Sequence, residues 1–161
     1  MSLAGMFPFW VRFPDVAARE TRVLTLLHPQ NGLPAGSYGF LELYCDDPAC
    51  DCRRVLIQVR SEDAPETVLA TINYGWESAA FYARWLHGDR AGAREMRNAS
   101  LDPLNPQSRF APTFLLLYQT VVLQDKAYIE RLKRHYAMFK KQLSSPDRSS
   151  GAPPAPPANN R

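Results

Sequence analysis

The chain has 161 residues, 45% of them apolar, 22% charged and 11% aromatic, the balance of a globular domain rather than of a disordered or fibrous polymer. Its formal net charge of +3 excludes a histone-like polycation but leaves room for a local basic surface. At this length a domain buries roughly 65–70% of the surface its unfolded chain exposes, so folding alone requires neither metal nor disulfide, and any metal site needs its own reason.

Met1 to Trp10 carries no charge, and Pro8, Arg12 and Pro14 break up the apolar stretch, which is not the pattern of a secretory leader. The prolines of Met6 to Val16 predict an irregular or edge strand packed on the core. Thr21 to His28 reads as a strand ending at Pro29, and Gln30 to Gly36 supplies turn chemistry through Asn31-Gly32 and Pro34-Ala35-Gly36. Tyr38 to Tyr44 alternates, with Phe40 and Glu42 on one face and Leu41 and Leu43 on the other, and Val55 to Val59 is a second β-rich run. A third run, Thr67 to Tyr74, completes an expected antiparallel sheet of three or four strands.

The period then changes. Trp76, Ala79, Ala80, Ala83 and Leu86 fall at helical spacing, and Gly88 is placed to end that helix. A polar stretch from Asp89 to Asn98 has helical character, and Leu101 to Pro112, with three prolines, reads as an extended crossing. Thr113 to Gln124 contains the longest apolar run, Phe114 to Tyr118, far short of the ~20 residues a membrane-spanning helix needs. In Asp125 to Leu143 the residues Ile129, Leu132, Tyr136, Phe139 and Leu143 form a narrow apolar seam. Ser144 to Arg161 holds five prolines and almost no large apolar side chain, so it is expected to be disordered. The predicted fold is therefore α+β: a small antiparallel sheet with a cysteine-bearing hairpin, packed against three or four C-terminal helices. Residues 1–143 form the globular domain and 144–161 a proline-rich tail.

Between the two central strands lies Cys45-Asp46-Asp47-Pro48-Ala49-Cys50-Asp51-Cys52, which holds all three cysteines of the chain. An odd number of thiols in a chain expected to be cytoplasmic points away from disulfides and toward thiolate ligands. A hairpin tip gathers sulfurs so close in sequence at small entropic cost, and zinc accepts them in tetrahedral geometry. The predicted cofactor is one zinc ion on Cys45, Cys50 and Cys52. For the fourth position the candidates are His28, His87, a loop aspartate or water. His28 ranks first, because pairing of its strand with a neighbour would bring the ring toward the loop. His87 reads more simply as a helix-terminal group and His135 as a polar-face residue. Zinc with three thiolates is net −1, and Asp46, Asp47 and Asp51 add to that burden before Arg53 and Arg54 offset it, so a neutral histidine is the easier fourth ligand.

The stretch from Tyr38-Gly39-Phe40 through Tyr44-Cys45-Asp46-Asp47-Pro48-Ala49-Cys50-Asp51-Cys52-Arg53-Arg54-Val55 resembles a family of uncharacterised bacterial proteins with a C-D-x-P-x-C-D-C-R-R-V loop. Ser108 to Ala111 and Tyr128 to Phe139 resemble that family's C-terminal helices. The resemblance covers most of the chain outside the tail and implies no particular activity. A fainter likeness is to the SEC-C zinc module, an interaction motif whose cysteine order this chain does not reproduce.

Three function classes are compatible with these features. The chain has no H-E-x-x-H, no G-x-S-x-G, no phosphate-cradling glycine loop and no deaminase spacing, so a zinc enzyme with an open metal position is an alternative without a motif behind it. The segment Asp125 to Leu143 carries six cations against Asp125 and Glu130, and Arg131, Lys133, Arg134, Lys140 and Lys141 offer a second alternative, tracking a nucleic-acid backbone. The leading expectation is a binding or adaptor module with a structural zinc site of three cysteines and one histidine, a protein partner and no membrane partner.

Overall fold

The computed structural model describes residues 5–145; residues 146–161, nearly all of the expected tail, lie outside the described residues. In chain order the elements are β1 (Met6–Pro8), α1 (Phe9–Arg12), α2 (Pro14–Glu20), β2 (Arg22–Leu26), β3 (Gly36–Cys45), β4 (Arg54–Ser61), β5 (Ala70–Gly75), α3 (Ala79–Trp85), α4 (Arg90–Arg97), β6 (Ser100–Leu101), α5 (Ala111–Thr120), a 3-10 turn (Val122–Gln124) and α6 (Lys126–Ser144). The α+β class holds, and among the described residues the antiparallel sheet has six strands rather than three or four. No helix among the described residues is long and apolar enough to cross a membrane.

The central hairpin, β3 with β4, pairs from Tyr38 opposite Ser61 to Leu43 opposite Leu56, and β5 and the two-residue β6 extend it on one side. The other edge of β3 is divided. β1 covers its C-terminal end, Met6 opposite Cys45, and β2 its N-terminal half, with Arg22 opposite Phe40 and Leu26 opposite Gly36. Between these two short strands the chain forms α1 and α2, where the sequence suggested an irregular or edge strand; Phe9 and Ala17 are buried, so this segment packs on the core as expected. Pro14 does not break helix α2; it stands at its first turn, where its missing N–H would have no intrahelical partner in any case.

The two-residue period of β3 sends Tyr38, Phe40, Glu42 and Tyr44 to the face that α5 and α6 cover, with Phe40 stacked on Tyr118 at 5.8 Å and Tyr44 packed against Phe139. The seam of α6 is thereby used within the chain: Leu132, Tyr136 and Phe139 are buried in this core, and Ile129 and Leu143 are partly covered. Leu43 and Cys45 alternate to the opposite face, together with their register neighbours Leu56 and, on β5, Asn73. Helices α3 and α4 pack together beside that end of the sheet. Gly75 closes β5 where a side chain has no room: a Cβ there would run into the Met96 carbonyl and the Tyr82 hydroxyl.

Candidate metal centre

Cys45 is the last residue of β3, and Cys50 and Cys52 stand on the loop before β4 opens at Arg54. The loop is folded by local chemistry first. The Asp47 carboxylate accepts the Ala49 N–H at 2.9 Å, and the Cys50 N–H bonds the Asp47 carbonyl, a turn that Pro48 preorganises. Arg53 takes a left-handed φ of 47°, an unusual state for a residue with a Cβ that requires anchoring on both sides. Those anchors come from distant helices. The Tyr136 hydroxyl of α6 accepts the Arg53 N–H at 3.2 Å and donates to Asp51 at 2.9 Å. The Tyr82 hydroxyl of α3 donates to the Arg53 carbonyl at 2.8 Å. Lys140 donates to the carbonyls of Cys45 and Asp47, both at 2.9 Å. The Arg53 guanidinium grips Asp51 through two nitrogens and reaches Glu77 with a third.

This framework brings three sulfurs together: the thiols of Cys45, Cys50 and Cys52 all lie within 4.8 Å of one another. Tetrahedral zinc with bonds of about 2.3 Å needs sulfurs about 3.8 Å apart, so a contraction of no more than ~1 Å converts the cluster into a ligand set. Cys52 is buried and the other two are half-covered. Burial, and then the neighbouring thiols, push Cys50 up to about 12, and burial raises Cys52 as well. Cys50 and Cys52 hold their protons in this way until a cation is present to reverse the balance. The cluster forms part of the wall of a cavity of about 260 Å³ on the sheet face opposite α6, which Met6, Arg54, Val55, Leu56 and Trp85 also line.

The structure does not bring His28 to the sulfurs, which corrects the leading expectation for the fourth ligand. His28 lies exposed beyond Leu26, whose partner Gly36 opens β3, whereas Cys45 closes it. Nine strand positions, or ~30 Å, separate the two ends. Antiparallel pairing is the reason: it carries the end of β2 away from the hairpin tip. His87 follows α3 with a left-handed φ of 55° and is exposed. Among the described residues the cluster consists of the three cysteines without a histidine or carboxylate. Asp51 is pinned by Arg53 and Tyr136, and Asp47 shares the cavity wall.

His135 is not a polar-face residue. It is 1% exposed, stacked on Phe9 at 4.4 Å, with Nδ1 2.7 Å from Glu42 and Nε2 2.6 Å from Glu20. Burial alone would lower its pKa, but hydrogen bonds and charge from Glu42 and Glu20 outweigh that and raise it above the ordinary histidine value. Its hydrogen bond, with the help of Arg134 and against the cost of burial, holds Glu20 below the usual carboxylate range. Tyr44 donates to Glu42 at 2.9 Å from the same core face.

The basic helix works largely inside the fold. Arg131 donates to the Glu20 carbonyl, Arg134 pairs with the Glu20 carboxylate, Lys133 with Glu130, and Lys140 holds the cysteine loop; Lys141 is exposed. Tyr82, Tyr136 and Lys140 are the loop anchors that sequence reasoning misses. No local signal announces them, because each acts on a loop 29 to 95 positions away. Arg53 has the nearest signal, its adjacency to the cysteines.

No protein-family model, curated protein or solved structure matches this chain. Geometry and chemistry therefore carry the functional reading by themselves.

Proposed function

We propose that this chain is a cytoplasmic zinc-binding protein in which Cys45, Cys50 and Cys52 hold one ion, and that it serves as a binding or adaptor module for a protein partner. The observation that carries the reading is the convergence of three thiols within 4.8 Å on a loop anchored from two helices. Zinc is the ion this donor set suits best, since it takes thiolates readily and imposes no geometry beyond the tetrahedron. A reducing compartment keeps those thiols available. The ion would cross-link the end of β3 to the start of β4 and so stiffen the surface around the hairpin tip.

The test is metal content. Purified full chain, exposed to Zn2+ under reducing conditions and then desalted, should retain about one equivalent. Cys50→Ser and Cys52→Ser should each lose it. Wild-type protein that is folded, reduced and metal-free after that treatment would refute the reading. Retention of zinc by both variants would move the site elsewhere.

A further inference from the structure

We propose that the cavity beside the three cysteines is a binding site for a neutral imidazole-type ring on an apolar body, whose nitrogen takes the fourth position on the bound ion. This inference rests on the reading of the cysteines as a zinc site and adds to it a ligand class.

Three observations lead there. First, the chain leaves that position open. The thiol cluster contains no histidine or carboxylate atom among the described residues. The three histidines of the chain stand elsewhere: His28 and His87 are exposed, and His135 is held between Glu20 and Glu42. Zinc completes four-coordination, and a site with three protein ligands takes its last donor from outside. All three cysteines line one cavity, so an ion seated on their cavity side turns its last position into it.

Second, the wall beside the sulfurs rewards an apolar body. Met6, Leu56 and Trp85 contribute to it; water gains nothing from such surface, whereas a hydrocarbon group gains in proportion to the area it buries. An apolar cavity of ~150 Å³ already accepts benzene. At about 260 Å³ this one has room for a five-membered ring together with a further apolar group.

Third, the charge calls for a neutral donor. Zinc with three thiolates is net −1, and Asp46, Asp47 and Asp51 on the same loop make the surroundings more negative. The neighbouring cations are engaged. Arg53 is divided between Asp51 and Glu77, and Lys140 donates to the Cys45 and Asp47 carbonyls. Arg54, in the cavity wall, interacts electrostatically with Asp102 as well as with Cys52 and Tyr82. A carboxylate or thiolate would add to the negative charge, and a neutral nitrogen does not. Among nitrogen donors, imidazole is largely unprotonated above pH 7, where an aliphatic amine still carries its proton.

The experiment loads the full chain with Co2+, whose visible absorption reports a change of ligand at the metal, and titrates it near pH 8 with imidazole, 1-benzylimidazole and phenylacetate. 1-Benzylimidazole should bind about tenfold to a hundredfold more tightly than imidazole, the margin expected for burying a phenyl group. Phenylacetate, of like body but negative, should leave the spectrum unchanged where 1-benzylimidazole saturates it. Trp85→Ala and Met6→Ala should each reduce the margin while keeping one equivalent of metal. His87→Ala should leave the spectrum before ligand addition as it is in wild type. A blocked Phe-His dipeptide separates the two sources of such a ring: binding as tight as that of 1-benzylimidazole identifies a histidine of a partner protein, and no binding identifies a free heterocycle. Bound metal whose spectrum neither imidazole alters, or whose spectrum already shifts in His87→Ala, overturns the proposal and leaves the zinc reading standing. Equal affinity for the two imidazoles, a margin that survives both cavity variants, or tighter binding of phenylacetate overturns it as well. A chain that binds neither Co2+ nor Zn2+ fails at the earlier step, the metal site itself.

Discussion

Removing one oxygen from Tyr136 tests whether helix α6 holds the cysteine loop in shape. In Tyr136→Phe the ring keeps its edge contacts with Trp76 at 5.3 Å and Tyr44 at 6.0 Å, so the change isolates the hydroxyl. Two hydrogen bonds vanish. The one to the Asp51 carboxylate has a charged acceptor, a class worth about 1.5–3 kcal/mol when enclosed, and the Arg53 N–H is left without its acceptor, which costs about 1–3 kcal/mol when water cannot reach it. Both groups are only part-buried, and Asp51 keeps its two bonds from Arg53, so the lower ends of those ranges apply. The expected loss is about 2–3 kcal/mol. For a chain of this size that corresponds to a fall in Tm of roughly 5–10 °C. Urea unfolding of the metal-free, reduced protein measures it, with an unchanged m-value showing that the denatured state is the same. Lys133→Ala, whose pairing with Glu130 is an exposed i,i+3 contact, serves as a helix control and should stay within about 0.5 kcal/mol. A loss below about 0.5 kcal/mol in Tyr136→Phe would mean that the loop holds its geometry without α6.

Stability should also respond to pH through His135. Its folded pKa is raised, so the Glu42–His135–Glu20 cluster contributes fully below pH 6.5 and loses that contribution as pH rises through the folded value. Glu20, lowered from 4.5, adds the opposite limb: its contribution is complete above pH 4.5 and disappears as pH falls through its folded value. Urea midpoints of the metal-free chain should therefore be highest between these limits and decline from pH 6.5 toward 8, with the alkaline decline absent in His135→Gln. A wild-type curve that is flat or rises over that interval contradicts the argument. At Gly75 a methyl group would meet the Met96 carbonyl and the Tyr82 hydroxyl, so Gly75→Ala should cost about 1–3 kcal/mol in the same assay. A neutral outcome there would show that α4 can move away from β5.

What can be read from the sequence is what is local. The strands of the hairpin and the seam of α6 declare themselves because periods of 2 and 3.5 repeat within one element, and the cysteines cluster because eight consecutive positions contain all three. Alternation places Glu42 correctly on the face of Phe40, yet nothing near it announces that the partner of this buried carboxylate is His135, 93 positions later. Nearness along the chain draws His28 to the metal site. The direction in which β2 pairs, a tertiary fact, sends it to the wrong end. Met6 to Val16 misleads in part for another reason: two prolines suggest an irregular or edge strand, which Met6–Pro8 does form, whereas Pro14 begins a helix. The cavity has no linear signature, since Met6, Cys45, Leu56 and Trp85 come from four separate elements or their junctions.

The partition of one margin of β3 between two short segments has a bearing on how the molecule behaves when crowded. Its sheet terminates in pieces of three and five residues on one side and two on the other. None of these offers a long row of unpaired amides to a neighbouring molecule, and the pieces of three and five are further separated by a helical excursion. Strand-by-strand stacking between copies, the usual hazard of an antiparallel sheet left open at its sides, finds little here on which to start.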